Sequence, residues 1–314
     1  MPGSAPSGVS ACIMSADSVP GAYDDKSPIC LSFILSLLHR VDKFPLFVGL
    51  SGAQGSGKST LGHMLSRNLS EEHGFPSIVV SIDDFYLTHA EQLAFAEKHK
   101  LNKMIQMRGP PGTHDINLAR RVFSALREGR ECQIPVYDKG AYHGKGDRVP
   151  KHQWRIVNQG VKTVTVVILE GWCVGFSQLT HAEIEQKRNL TTNRSLVKQE
   201  LQNLLDINDK LKEYQDLWSA YLDGLIYIDA KDLRWVYDWR EDQEKKLRKE
   251  KGNANAMDLQ QVIGFVDNYF PAYELYTENL RKTGVISQKG QARRIKQLNL
   301  VVGKDRRVLQ VLSY

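Results

Sequence analysis

A chain of 314 residues with 41% apolar and 25% charged residues has the balance of a globular protein with room for a sizeable core. Its net charge of +6, from 42 basic and 36 acidic residues, suits anionic ligands but is too small and dispersed to define a nucleic-acid binder. Cys12, Cys30, Cys132 and Cys173 share no metal-binding spacing, which argues against a zinc module and fits a reducing compartment; no apolar run approaches the roughly 20 residues a bilayer requires.

The first 27 residues are rich in Ser, Ala, Pro and Gly, with Lys26 their only basic residue, and read as a flexible tail rather than a targeting peptide. A cytoplasmic location is expected, with the nucleus left open. Residues 28–314 read as a single domain. A helix is expected over 28–44, with Leu31, Leu35 and Leu38 on one face and Pro45 as its stop. The apolar run 46–50 then reads as a buried strand, and Leu61, Met64, Leu65 and Leu69 follow at helical spacing.

Between that strand and helix lies Gly52-Ala53-Gln54-Gly55-Ser56-Gly57-Lys58-Ser59-Thr60, which fits the phosphate-loop pattern G-x-x-x-x-G-K-[ST]. The glycines let successive N–H groups turn inward around phosphate oxygens at a helix N-terminus. Lys58 can reach the β- and γ-phosphates, and the Ser59 hydroxyl can ligate Mg²⁺. ATP with Mg²⁺ is the expected cofactor pair.

Further along, a strand over 77–82 ends at Asp83-Asp84, and 88–100 reads as a polar helix. Residues 108–115 form a Gly- and Pro-rich loop before a helix at 116–128, a strand at 132–136 and a loop-rich stretch over 137–155. The run 161–169 is dense in β-branched residues and bounded by Glu170-Gly171, whereas 172–195 reads as an irregular insertion. Helices are expected at 196–219, 232–250 and 257–280, with a strand at 225–228 between the first two. A final hairpin pairs 298–302 with 308–312 around Gly303-Lys304-Asp305. Alternating strands and helices define an α/β chain with a mostly parallel sheet and helices on both faces. The basic residues Lys289, Arg293, Arg294, Lys296, Lys304, Arg306 and Arg307 lack interleaved aromatics and read as a solvated face rather than a nucleic-acid site.

Ligands of such sheets bind beyond the carboxyl ends of the strands. Three strands deliver polar groups there: the loop with Lys58 and Ser59, then Asp83-Asp84, then Glu170. The Asp pair can supply a proton acceptor or a metal link, and Glu170 can hold Mg²⁺ or its waters. The chain has neither the N-K-x-D of guanine-reading GTPases nor a second transporter signature. A kinase acting on a small-molecule hydroxyl fits best.

The segments Ser81-Ile-Asp-Asp-Phe-Tyr-Leu-Thr88, Arg108-Gly-Pro-Pro-Gly-Thr-His-Asp115, Tyr137-Asp-Lys-Gly, Gly146-Asp-Arg148, Glu170-Gly-Trp172, Val236-Tyr-Asp-Trp-Arg240 and Tyr269-Phe-Pro-Ala-Tyr273 resemble the D-glycerate 3-kinase family. That family sits in the phosphoribulokinase, uridine kinase and pantothenate kinase group of P-loop kinases. The resemblance spans residues 30–312 in order and implies a helical lid and substrate-pocket insertions at about 101–158 and 172–195. It implies that Asp83 is the general base and that Arg240 of the lid neutralises the transferring phosphoryl. It places Asp84, Tyr86, Arg108, His114, Asp115, Tyr137, Lys139 and Arg148 in or beside the acceptor pocket, with Arg148 or Arg108 as the clamp for a substrate carboxylate. The chain departs from the family pattern at Pro110-Pro111-Gly112, at Gly140 and at Trp239-Arg240-Glu241-Asp242, in pocket and lid rather than in the cradle. D-glycerate is the favoured acceptor; a nucleoside, a pantothenate-like acid or a sugar derivative stays open. So does an ATP-binding regulatory protein with little kinase activity.

Overall fold

The computed structural model describes residues 25–40, 43–160, 163–190, 192, 194–251, 257–283 and 295–314. Strand β1 (Leu46–Gly52) is buried along its whole length, as a central strand covered on both faces must be. It pairs in parallel with β7 (Val166–Gly171) and β8 (Gly224–Ala230). The sheet extends through β2 (Ser77–Ser81) beside β7, β9 (Lys296–Val302) beside β8, and β10 (Val308–Ser313), which turns back antiparallel on β9. The order is β10-β9-β8-β1-β7-β2. Two small antiparallel pairs lie outside it: β3 (Cys132–Ile134) with β6 (Arg155–Val157), and β4 (Tyr137–Asp138) with β5 (Asp147–Arg148).

Helices cover both faces. Helix α2 (Lys58–Glu71) packs Gly62 against Leu50 and Val79, and α1 (Ser27–Leu38) lies beside it. On the other face Phe47 meets Phe123 of α4 (Ile116–Arg127) at 5.7 Å and Tyr221 of α6 (Leu201–Tyr221) at 5.8 Å between ring centroids. Helices α7 (Trp235–Lys251) and α8 (Leu259–Thr283) pack together beyond β8. The expected α/β fold with a mostly parallel sheet and a C-terminal hairpin is present.

Several boundaries differ from the sequence reading. Helix α1 stops at Leu38 rather than reaching 44, because His39 and Arg40 turn back their N–H groups onto the carbonyls of Leu35 and Leu37. Asp25 and Lys26 belong to the folded body: the Asp25 carboxylate accepts from the Val308 N–H at 2.7 Å, and Lys26 Nζ donates to the Arg306 carbonyl at 2.8 Å. Residues 1–24 of the expected tail lie outside the described residues, as do Lys289, Arg293 and Arg294 of the basic stretch. Strand β7 continues through Glu170, so that carboxylate is part of the strand rather than its stop. The stretch 172–195 contains helix α5 (His181–Asn189), opened by a capping box in which Thr180 and Glu183 bond each other's backbone N–H. The remaining helix, α3 (His89–Lys98), falls where expected and carries the same device at Thr88 and Glu91.

One polar brace joins β1 to the α4–α6 layer. Arg127 donates to the carbonyls of Pro45 and Tyr221 and to the Asp223 carboxylate, and lies 4.7 Å over the Phe47 ring. The same Asp223 oxygen accepts from the Phe47 N–H at 2.9 Å. Removing one member strands the other partly out of water. Asp223→Ala should therefore lower unfolding free energy by about 2 kcal/mol, discounted for partial solvent access. Urea denaturation of the variant beside the native chain measures it.

Candidate active site

Parallel register brings three loops to one edge. Leu50, Glu170 and Ser81 lie side by side across β1, β7 and β2, so the glycine loop, Glu170 and Asp83-Asp84 emerge together at the carboxyl end. Gly55 and Gly57 adopt φ of +78° and +92°, the left-handed conformation that lets the loop curl at little cost. Lys58 is buried and its ammonium donates to the Ala53 carbonyl at 3.0 Å. Burial pulls its pKa below the ordinary value, while Glu170 and Asp83 pull the other way. Ser59 donates to Glu170 Oε1 at 3.2 Å. Gln54 donates its N–H to the Tyr273 hydroxyl at 3.1 Å, and Ser56 is buried within the loop. Thr60 is exposed on the first turn of α2.

Asp83 and Asp84 follow β2 in a short 3-10 turn, and their side chains diverge. Asp83 accepts from Lys139 Nζ at 2.6 Å. Burial opposes its charge, but Lys139, then His114 and the Tyr86 hydroxyl, outweigh it and hold the carboxyl below the usual range. The partner effect raises Lys139. Asp84 turns toward β4, its Oδ1 3.4 Å from the Tyr137 N–H. Burial pushes it up to about 6, against that N–H and with the Asp83 charge adding to the rise.

An aromatic wall stands behind Asp83. Residues 85–87 and 113–115 run antiparallel, and Tyr86 stacks on His114 at 4.3 Å. His114 Nδ1 lies 2.7 Å from the Tyr214 hydroxyl, which already accepts from the Gly112 N–H at 2.9 Å. His114 Nε2 on the far side of the ring is buried without a partner. Burial lowers the His114 pKa to about 3, with Asp83 opposing. Tyr269 and Trp172 complete the wall at 4.9 Å centroid separation.

Two arginines are spent on the pocket's frame. Arg108 donates to the carbonyls of Gly144, Lys145 and Lys139 and so straps down the 139–146 loop. Arg148 donates to the Tyr86 carbonyl at 2.8 Å and pairs with Asp115 at 3.7 Å, while Asp115 caps α4 by accepting from the Leu118 N–H. The expected carboxylate clamp is thus engaged at both candidates. The exposed cation beside Asp83 is Lys139. Arg240 on α7 donates to Glu244 and to Gln243 at 3.1 Å, and lies 4.7 Å over the Phe265 ring. Burial lowers its pKa, against the pull of Glu244.

The sequence reading did not single out Tyr214, Tyr269, Tyr273 or Glu244 as site residues. Tyr269 and Tyr273 stand in a segment that carries the family resemblance, but only tertiary placement turns the tyrosine hydroxyls toward the loops.

A glycine cradle on a parallel sheet, backed by a buried Lys58 and strand-end carboxylates, defines a P-loop kinase. The model of the phosphoribulokinase / uridine kinase family matches residues 47–208. The chain is 39% identical to an uncharacterized kinase of Schizosaccharomyces pombe, over 75% of this chain and 82% of the relative. It is 34% identical to the chloroplastic D-glycerate 3-kinase of Arabidopsis thaliana over 76% of this chain, and spans about half (49%) of that longer protein. The solved D-glycerate 3-kinase of Cryptococcus neoformans superposes with a TM-score of 0.80 at 30% identity, covering 92% of this chain and 99% of that one. The chain belongs to the phosphoribulokinase / uridine kinase family, in its D-glycerate 3-kinase branch. Membership of this P-loop kinase family implies ATP binding. No helix among the described residues is long and apolar enough to cross a membrane.

His114 also sets an acid limit on stability. Between about pH 6.5 and 3 the unfolded chain binds a proton there that the folded chain does not, so stability falls as pH drops through that window. From pH 7 to 5 the His114 contribution alone falls by roughly 2 kcal/mol, part of which the raised Asp84 carboxyl offsets. His114→Phe should flatten this slope, read from urea midpoints at the two pH values.

Proposed function

We propose that this kinase transfers the γ-phosphoryl of ATP to a hydroxyl of a small hydroxy acid, with D-glycerate the favoured acceptor and 3-phosphoglycerate the product. The observation that carries the reading is the ionised Asp83, paired at 2.6 Å with Lys139 and influencing the buried Lys58. Phosphoryl transfer is mostly positioning and electrostatics. Lys58 is suited to neutralise β- and γ-oxygens once they displace it from the Ala53 carbonyl. Asp83, kept anionic, is suited to orient the acceptor hydroxyl and take its proton. Lys139, tethered to a strapped loop, offers an ammonium to the substrate carboxylate on the same side. Arg240 has an unpartnered buried Nε–H and lies where α7 crosses the cradle, fitting a role toward the phosphoryl group.

Mg²⁺ fits the donors present. The Ser59 hydroxyl and Glu170 carboxylate are hard oxygen ligands, and Mg²⁺ characteristically takes one or two protein oxygens beside phosphates and waters. Asp83 is a further candidate for that role. When bound, the ion would offset charge on the β- and γ-phosphates. The relatives named D-glycerate 3-kinase support the acceptor.

A panel of small hydroxy acids, nucleosides, pantothenate-like acids and sugars, assayed for ADP formation with ATP and Mg²⁺, tests the acceptor. D-glycerate should give the highest kcat/KM; a nucleoside or sugar ahead of it would replace this assignment, and no acceptor-stimulated turnover would leave a nucleotide-binding regulator. Asp83→Asn should cut kcat by at least about 10²-fold with little change in ATP affinity. Asp84→Asn, whose side chain faces β4, should cost far less. The reverse order would move the proton acceptor one residue along.

A further inference from the structure

We propose that Arg306, in the turn between β9 and β10, is a positioning residue of the phosphate loop that holds the Gly55 peptide in its nucleotide-receiving orientation. The inference rests on the nucleotide-binding reading of residues 52–60 and is independent of the acceptor.

Arg306 belongs to the basic segment that the sequence alone assigns to solvent. In the fold its Nε donates to the Gly55 carbonyl at 2.8 Å across 251 positions of chain. Its Nη2 pairs with Asp242 of α7 at 3.2 Å, and the guanidinium lies 5.4 Å over the Trp239 ring. Trp239 is also the residue on which Gly55 rests. A Cβ built at Gly55 would stand 2.5 Å from the Trp239 Cβ, so only glycine admits this approach. The indole in turn donates to the Lys304 carbonyl at 2.7 Å, and Lys304 pairs with Asp238 at 2.7 Å. Loop, lid helix and hairpin turn thus meet at one junction.

The turn is built for this contact. Arg306 has φ of +66°, a left-handed conformation that a non-glycine residue seldom adopts. Its own carbonyl is held by Lys26, and the next strand begins under Asp25. The guanidinium is therefore fixed from its backbone as well as from its tip.

The effect on the cradle follows from peptide planarity. Carbonyl and N–H of a trans peptide point in opposite directions. Drawing the Gly55 carbonyl out toward Arg306 turns the Ser56 N–H inward, where it now meets the Ala53 carbonyl at 3.2 Å. Lys58 Nζ donates to that same carbonyl at 3.0 Å. Two donors that a phosphate can claim are thus parked on one oxygen, with the Gly55 peptide already set. Without Arg306 the Gly55 carbonyl loses its outward anchor, and nucleotide must bear more of the cost of holding the peptide in this orientation.

The test is direct MgATP binding by titration calorimetry, with Arg306→Ala, Arg306→Lys and Lys58→Ala beside the native protein. Lysine keeps a cation able to stack on Trp239 and pair with Asp242, but has a methylene where Arg306 places its Nε–H. Both Arg306 variants should raise the Kd of MgATP about tenfold, the order of one charge-assisted hydrogen bond. In turnover assays the KM for ATP should rise with it while the KM of the acceptor stays within about twofold. Native affinity in Arg306→Lys would show that charge alone matters and overturn the proposal, as would an equal loss for both substrates. Should Arg306→Ala fail to fold, Arg306→Lys carries the test by itself. If the native protein binds no MgATP, or Lys58→Ala binds it equally well, the nucleotide reading falls, which is a separate outcome.

Discussion

Parallel pairing of β1 with β7, and of β7 with β2, is the constraint on which the site depends. Parallel strands end on the same side, so the register that aligns Leu50, Glu170 and Ser81 also makes three unrelated loops neighbours. Nothing local in any one loop specifies that meeting. The burial of β1 along its whole length, between α2 on one face and α4 and α6 on the other, fixes the register, because a one-residue slip would present each side chain to the wrong layer. The chemistry of the site is thus a consequence of core packing several residues below it.

Around this frame the polar groups are arranged to keep charges in place at the edge of a hydrophobic body. Lys58 is desolvated yet faces Glu170 and Asp83; Asp83 is desolvated yet faces Lys139. Each charge is tolerated because the other sign is close, in a region of reduced dielectric where such attraction is strong. Arg108 and Arg148, which resemble ligand clamps when read from sequence, serve the architecture of this arrangement by bonding backbone carbonyls of the loops that carry Lys139 and Tyr86. Asp115 likewise caps a helix.

The legible parts were those whose signal is local. The glycine spacing of 52–60, the apolar runs that became β1, β2 and β8, and the Asp83-Asp84 pair at a strand end could all be read because each rests on contiguous residues. Helix α5 looks irregular in sequence although Thr180 and Glu183 form a capping box, since only Ile184 of its residues is buried and the apolar period is weak. The divergence of Asp83 and Asp84, the bonding of Tyr214 to His114, and the reach of Arg306 to Gly55 depend on segments 53 to 251 positions apart. A linear pattern holds no trace of such contacts. The hairpin turn therefore read as a basic surface.

The strapped loop that carries Lys139 ties a proton to a motion. Burial by itself favours the uncharged form of Asp83, and Lys139 is the main counterweight. That lysine is largely exposed and is held over the carboxylate by a loop whose carbonyls hang on Arg108. Any displacement of the loop would take the cation from the carboxylate and raise the Asp83 pKa from where Lys139 holds it. Seating of the loop and ionisation of Asp83 are thereby thermodynamically linked, so that within the acid range where Asp83 titrates a rise in pH favours the seated loop. An ordinary ion pair on a strapped segment thus couples the charge of the site to the loop that carries Lys139.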